Sequence, residues 1–252
     1  EFASKAKVIH VDIDPTSIAK LVVPDYPIVG DLKVTVKAMI EAIESGENEF
    51  NDYTNWVELL RDYREKEPLR YIDSNEVIKP QWPIQRVGKL LGDRAIISTD
   101  VGQHQMWTAQ FYPFSYPRQW ITSGGLGTMG FGLPAAMGVA RALKGTDKVS
   151  INFTGDGSIL MNIQELMTCV EYELPVINII LNNNYLGMVR QWQTMFYGNR
   201  LSETDLSAQP NFKMLVEAFG GLGYRVTTKE EFDVALKDAV EKKRPAMIEV
   251  VV

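Results

Sequence analysis

The stretch from Gly155 to Trp192, GDGSILMNIQELMTCVEYELPVINIILNNNYLGMVRQW, constrains the fold more than any other part of the chain. Ahead of it, Val149–Thr154 is apolar and rich in β-formers, so it reads as a buried strand ending at Gly155-Asp156-Gly157. Two glycines around a carboxylate permit a tight turn and a close backbone approach to a ligand. The spacing predicts a helix next. Asn162 and Glu165 stand as N-cap and N3, and Ile163, Leu166, Met167 and Val170 make an apolar stripe that Pro175 ends. Val176–Leu181 is a second buried strand, closed by Asn182-Asn183-Asn184. One strand–helix–strand unit therefore brings a carboxylate and amide oxygens to the same sheet edge, where open parallel sheets bind ligands.

One carboxylate (Asp156), one amide oxygen (Asn183) and a backbone carbonyl (Tyr185) suit a hard cation such as Mg²⁺. That ion takes few protein ligands and completes its octahedron with waters and phosphate oxygens. Gly157, Ser158, Leu186 and Gly187 would meet phosphate through backbone or hydroxyl groups, with the start of the next helix adding free N–H donors. The ligand class is a metal-bridged diphosphate.

A GDG followed about two dozen residues later by NN resembles the thiamin diphosphate motif of the pyruvate-oxidase-like enzymes. Within them, LNNNYLGMVRQWQ together with GQHQMW and TSGGLGTMGFGLPAA resembles the catalytic large subunits of acetolactate synthases. The resemblance implies decarboxylation of pyruvate and condensation with pyruvate or 2-ketobutyrate, in branched-chain amino acid biosynthesis. It implies thiamin diphosphate and Mg²⁺ as cofactors, FAD in the whole enzyme, a homodimer or dimer of dimers, and a possible regulatory small subunit. It places Gln103 and His104 at the diphosphate, the Gly127 backbone and the Met129 side chain at the aminopyrimidine, and Met188 and Trp192 along the substrate channel. The tryptophan favours 2-ketobutyrate. The activating glutamate belongs to an N-terminal domain that residues 1–252 do not match, so no catalytic residue is assigned here and the chain alone is expected to be inactive. Sister enzymes (pyruvate oxidase, glyoxylate carboligase, sulfoacetaldehyde acetyltransferase) share the cofactor site, and a non-catalytic Mg-diphosphate module is the alternative of another class.

Upstream, Lys7–Asp12 reads as a buried strand, Thr16–Lys20 as a short helix, Tyr26–Val29 as an extended run and Leu32–Ile43 as a helix. Residues 1–45 are expected to be the tail of a larger α/β domain, and the opening Glu1-Phe2 reads as the start of a fragment. Asp12 and Asp31 follow strand-like runs. Their residue-level reading is turn formation and helix capping, whereas the resemblance places Asp12, Ile13, Asp31 and Leu32 at FAD. Residues 46–83 read as a charged, proline-bearing linker containing an amphipathic helix at Tyr53–Glu67. Residues 84–252 form the cofactor-binding domain. Helices and strands alternate along it, which predicts an α/β fold with a doubly wound parallel sheet.

A net charge of −6 argues against nucleic acid as a partner. No run approaches the ~20 apolar residues of a membrane span. The single cysteine, Cys169, fits a reducing cytoplasm and reads as a small buried hydrophobe. The polar stretch 199–209 reads as a mobile loop bordering the site, disordered without cofactor.

Overall fold

The computed structural model describes residues 4–46 and 51–252. The chain's opening residues 1–3 and residues 47–50 of the expected linker lie outside them. The chain divides after Pro68 into two units.

In the smaller unit, strands β1 (Ile9–Asp12) and β2 (Tyr26–Val29) pair in parallel, with Ile9 opposite Tyr26 and Asp12 opposite Val29. Between them Asp14 accepts from the Thr16 N–H and caps a single 3-10 turn, Pro15–Ser17. The short helix expected at Thr16–Lys20 goes no further, because Ala19 turns to a φ of 61°. Helix α1 (Leu32–Glu44) is capped by Asp31, which accepts from the Val34 N–H. Helix α2 (Thr54–Lys66) matches the expected amphipathic segment. The strand expected to be buried is not: Ile9 is 56% exposed. Two strands and one following helix cannot cover both faces of a sheet, and no described residue of this unit is fully buried.

The larger unit begins before the expected boundary at residue 84. Ile78 is part of its main core, which takes residues 69–83 out of the linker. Helix α3 (Gln81–Leu91) starts three residues earlier than its apolar pattern, and Pro83 is tolerated because the first turn of a helix has no N–H bonds to lose. The elements then follow as β3 (Ala95–Thr99), α4 (Gln103–Phe111), β4 (Trp120–Thr122), α5 (Gly132–Ala142), β5 (Val149–Gly155), α6 (Asp156–Ile159), α7 (Glu165–Glu171), β6 (Val176–Asn182), α8 (Gly187–Phe196), α9 (Phe212–Ala218), β7 (Leu222–Val226), α10 (Lys229–Lys242) and β8 (Ala246–Val251). All strand pairs in this sheet are parallel, in the order β4-β3-β5-β6-β8-β7.

Both faces of the sheet carry a core, as a doubly wound fold requires. On one face Ile97, Ile151, Phe153, Ile177, Ile179, Ile248 and Val250 pack with α3 and α10. On the other, Val176, Ile180 and Met247 pack with α5, α7 and α9. The period-2 alternation makes that second face partly polar, with Ser150, Asn152, Thr154 and Asn178 all buried there. Each finds a partner. Ser150 Oγ donates to the Ala136 carbonyl and Asn152 Nδ2 donates to Asn178 Oδ1.

The expected cap at Asn162 does not form. Asn162 lies in a 3-10 turn and donates its Nδ2 to the Gly130 carbonyl, while α7 starts at Glu165 with no side-chain cap. The expected stripe is also rotated: Leu166 and Cys169 are fully buried and Met167 faces outward. Burial pushes the Cys169 thiol up to about 12, which keeps it an inert hydrophobe.

Phe153 sits fully buried at the centre of β5. Replacing it by Ala is expected to cost about 3–5 kcal/mol, read as a lowered urea midpoint with an unchanged slope.

Candidate functional site

Chain topology fixes where a ligand can sit. From β3 the chain turns to β4 on one side, and from β5 it turns to β6 on the other. The crevice outside the carboxyl ends of β3 and β5 is therefore a switch point, the preferred ligand position in such sheets. The turn after β3 (residues 100–102), the turn after β5 (residues 155–158) and the turn after β6 (residues 183–186) all line one crevice there, around a cavity of about 60 Å³. A larger cavity, about 790 Å³, lies near the amino ends of β5, β6 and β8. Its Arg94 and Arg244 donate to the carbonyls of Asp147 and Gly220, and the C-terminal ends of α5, α7 and α10 border it. Cations there offset helix dipoles, so the switch-point crevice is the better candidate.

Asp156 is buried at the first position of α6. Its Oδ1 accepts from the Gly157 N–H at 2.9 Å and its Oδ2 from Gln209 Nε2 at 2.7 Å. Burial raises its pKa, and the Gln209 and Gly157 hydrogen bonds pull it back. Opposite it, Asn183 accepts the Tyr185 N–H on Oδ1 at 3.0 Å and donates Nδ2 to Gln103 Oε1 at 3.4 Å. Gln103 is in turn held by Gln191, which accepts its Nε2 at 2.8 Å. A carboxylate has about four lone-pair positions and an amide oxygen two, so both side chains keep acceptor capacity after these bonds.

His104 is enclosed. Gly102, with φ at +155°, brings the backbone so near that a Cβ there would lie 2.8 Å from the imidazole Cε1. Only glycine fits that contact. The ring borders the crevice, and its Nε2 is buried with no hydrogen-bond partner among the described residues.

The glycine-rich loop closes the crevice from the side. Met129 lines it. Gly127 lies farther out, where a Cβ would come 4.0 Å from Val101. The loop is tied down at its end by Asp100, which is fully buried. Asp100 Oδ1 accepts the Gly132 N–H at 2.9 Å, and Oδ2 accepts Thr154 Oγ1 at 2.8 Å. Gly132 must be glycine for this: a Cβ would fall 2.4 Å from Asn152 Oδ1 and 2.8 Å from the Asp100 backbone nitrogen.

Three expected phosphate donors have other duties, the Gly157 N–H being already given to Asp156 Oδ1. The Ser158 hydroxyl donates to the Val101 carbonyl at 3.3 Å, and the Leu186 N–H donates to the Thr204 carbonyl at 2.9 Å. Gly157 and Gly187 line the crevice, and no side chain caps α8, whose first turn begins at Gly187. Met188 lines both the crevice and an adjoining open groove along α8, which contains Trp192, 55% exposed. The stretch expected to be a mobile loop, residues 199–209, packs onto the turn after β6. Tyr185 and Asp205 form an antiparallel bridge, and the Leu206 N–H donates to the Asn184 carbonyl at 2.8 Å. Asp12, Ile13, Asp31 and Leu32 lie at the carboxyl ends of β1 and β2, where Asp12 Oδ1 accepts the Asp14 N–H and Asp31 caps α1.

The donor set fits a magnesium-bound diphosphate. No group of three or more His, Cys, Asp and Glu gathers among the described residues. One carboxylate with neutral oxygens is the protein share that octahedral Mg²⁺ takes when phosphates fill its other positions.

Sequence reasoning missed Asp100, Thr154, Asn182, Gln191 and Gln209. Asp100 carried a readable signal, since it ends a strand just as Asp156 does. Gln209 carried none, since it stands in a polar loop 53 residues from its partner.

Residues 100–250 match the family model of the thiamine pyrophosphate enzyme, C-terminal TPP binding domain. The chain is 46% identical over 246 residues to the acetolactate synthase isozyme 3 large subunit of Escherichia coli (strain K12), covering 97% of this chain and 42% of that protein. It is 47% identical over 242 residues to the acetolactate synthase large subunit of Buchnera aphidicola subsp. Schizaphis graminum (strain Sg), covering 96% of this chain and 42% of that one. It is 41% identical over 261 residues to acetolactate synthase 1, chloroplastic, of Nicotiana tabacum, covering all of this chain and 38% of that one. The chain thus spans about two fifths of the length of these curated relatives.

Burial lowers the His104 imidazole from 6.5 to about 4. Between those values the unfolded chain binds a proton that the folded chain refuses. The resulting stability is complete above about pH 6.5 and is lost as pH falls towards 4. A His104→Gln variant is expected to show a flatter stability–pH curve in that window, measured by urea unfolding at stepped pH. Parallel curves would show that His104 is not held neutral.

Proposed function

Because the chain belongs to the thiamine pyrophosphate enzymes, whose C-terminal cofactor-binding domain it carries, we propose that it is part of an acetolactate synthase large subunit. The observation that carries this is the convergence of Asp156, Asn183 and Tyr185 on one crevice with His104, Gln103 and Met129. Its relatives named for that activity match along nearly the whole chain. The substrates are pyruvate and a second 2-keto acid, pyruvate or 2-ketobutyrate, and the product is 2-acetolactate or 2-aceto-2-hydroxybutyrate.

Thiamin diphosphate, when bound, supplies the decarboxylation and carbon–carbon bond chemistry. The protein's part is to bind and orient it. Asp156, Asn183 and the Tyr185 carbonyl would hold Mg²⁺, which would supply charge neutralisation for the diphosphate. The uncapped start of α8 at Gly187 would donate backbone N–H groups to phosphate oxygens, with Gly157 lining the crevice beside it. Neutral Gln103 and His104 would flank them without adding charge. Gly127 and Met129 would face the pyrimidine end, with the methionine as an apolar wedge. Met188 and Trp192, on one side of α8, would line the approach of the keto acid. The chain's Asp12, Ile13, Asp31 and Leu32 are the proposed FAD contacts. We assign residues 1–45 to a central FAD-associated domain and place the enzyme in the cytoplasm as a homodimer or dimer of dimers, with a regulatory small subunit as a further partner.

Calorimetric titration of thiamin diphosphate into the full-length chain is expected to give a binding signal with Mg²⁺, none with EDTA, and none for Asp156→Ala in either case. Binding that ignores the metal or survives Asp156→Ala would refute the anchor. For the substrate channel, Trp192→Leu in the whole enzyme is expected to lower the ratio of 2-aceto-2-hydroxybutyrate to 2-acetolactate formed from mixed keto acids by about 10-fold or more, the discrimination an apolar contact contributes. An unchanged product ratio would remove Trp192 from the specificity site.

A further inference from the structure

We infer that Gln209 and Asn182 are positioning residues that jointly set the Asp156 carboxylate and the Asn183–Tyr185 turn in register for their cation, an inference that rests on the thiamin diphosphate reading above. Asn182 is almost fully buried at the end of β6 and makes hydrogen bonds in three directions. Its Oδ1 accepts the Asn184 N–H at 3.1 Å, which shapes the turn carrying Asn183 and Tyr185. Asn184 holds a φ of 61° there, a left-handed conformation that needs such support. Its Nδ2 donates to Gln209 Oε1 at 2.8 Å and to Glu249 Oε1 at 2.9 Å.

Gln209 passes the constraint on. With its Oε1 occupied by Asn182, its Nε2 must face the other way, and it donates to Asp156 Oδ2 at 2.7 Å. The Gly157 N–H holds Oδ1 at 2.9 Å. Both oxygens of the carboxylate are therefore tied, and its plane cannot rotate without breaking a hydrogen bond. One side chain, Asn182, thus governs both halves of the proposed metal site, one directly and one through Gln209. Glu249, buried on β8 and paired with Arg225 at 3.4 Å, orients the amide at the far end. The polarity is specific. Two carboxylates flank the two amides, and each amide turns its NH₂ group towards one of them. Partners of this kind fix ligand orientation, and their loss typically costs 10–100-fold in metal affinity.

The test titrates Mg²⁺ into the full-length chain at saturating thiamin diphosphate, comparing wild type with Gln209→Leu. Gln209 lies on a surface segment, so the substitution leaves the core intact. The expected result is an apparent Mg²⁺ Kd raised about 10- to 100-fold, with thiamin diphosphate affinity at saturating Mg²⁺ and the thermal midpoint little changed. Asn182→Ala is expected to weaken Mg²⁺ in the same direction. The double variant is expected to bind Mg²⁺ less weakly than the product of the two separate effects predicts, because the residues act in series. Unchanged Mg²⁺ affinity in Gln209→Leu, with wild-type binding intact, overturns the positioning role and leaves the cofactor reading standing. Equal losses of Mg²⁺ affinity, cofactor affinity and thermal midpoint overturn it too, since that is general damage. A wild type that binds no thiamin diphosphate in a Mg²⁺-dependent way defeats the cofactor reading itself.

Discussion

The register between β5 and β6 decides whether this protein has a site. Ser150 pairs with Val176 and Gly155 with Leu181, so the two strands end level with one another. The GDG turn and the asparagine turn then emerge side by side at the same edge. Both strands are buried almost throughout; β6 alternates between the two apolar cores, while β5 alternates between the first core and the buried polar residues Ser150, Asn152 and Thr154. A slip of one residue would turn Phe153 and Ile179 onto the opposite face and drive Asn152 and Asn178 into the apolar core. The same burial that stabilises the sheet therefore positions Asp156 opposite Asn183.

The polar face of the sheet serves the site by a different route. Small residues on α5 and hydrogen-bonding residues on β5 let the helix approach closely, with Gly132 seated against Asn152 and Asp100. Asp100 fixes the end of the glycine-rich loop and reaches across to Thr154 on the neighbouring strand. Burial raises its pKa while the Gly132 and Thr154 hydrogen bonds oppose that shift. The asparagine pair Asn152–Asn178 carries the polar line on from β5 to β6. Among the described residues, Ser98 Oγ and Asn152 Oδ1 remain buried without partners. Unpaired polar atoms of this kind cost stability, and both lie on the face that holds the loop.

Much of the fold was legible in the residue pattern. Strands β2, β5 and β6 and helices α1 and α2 fall within a residue or two of their expected runs, because periodicity records which face is buried. The capping box of α10, Thr228 with Glu231, is a local signal of the same kind. The boundary at residue 84 failed because Ile78 joins the core from a segment whose prolines and charges look like linker. The cap at Asn162 failed because a distant carbonyl, Gly130, competes for the same side chain. The buried strand at Lys7–Asp12 failed because apolar composition reports what a strand could bury, not what is present to cover it.

The sequence by itself determined the fold class, the order of elements, and the residue types of the proposed site through short-range patterns: glycines beside Asp156, paired asparagines closing β6, and a strand's period of two. These follow from local sterics and hydrophobic alternation, which act over a few residues. Tertiary structure alone decided which groups hydrogen-bond those side chains. Gln209 meets Asp156 across 53 residues, and Asp100 meets Thr154 across 54. It also redirected the Leu186 N–H and the Ser158 hydroxyl away from their expected role. A hydrogen bond between remote side chains depends on how strands and loops close in space, and no spacing along the chain encodes that distance.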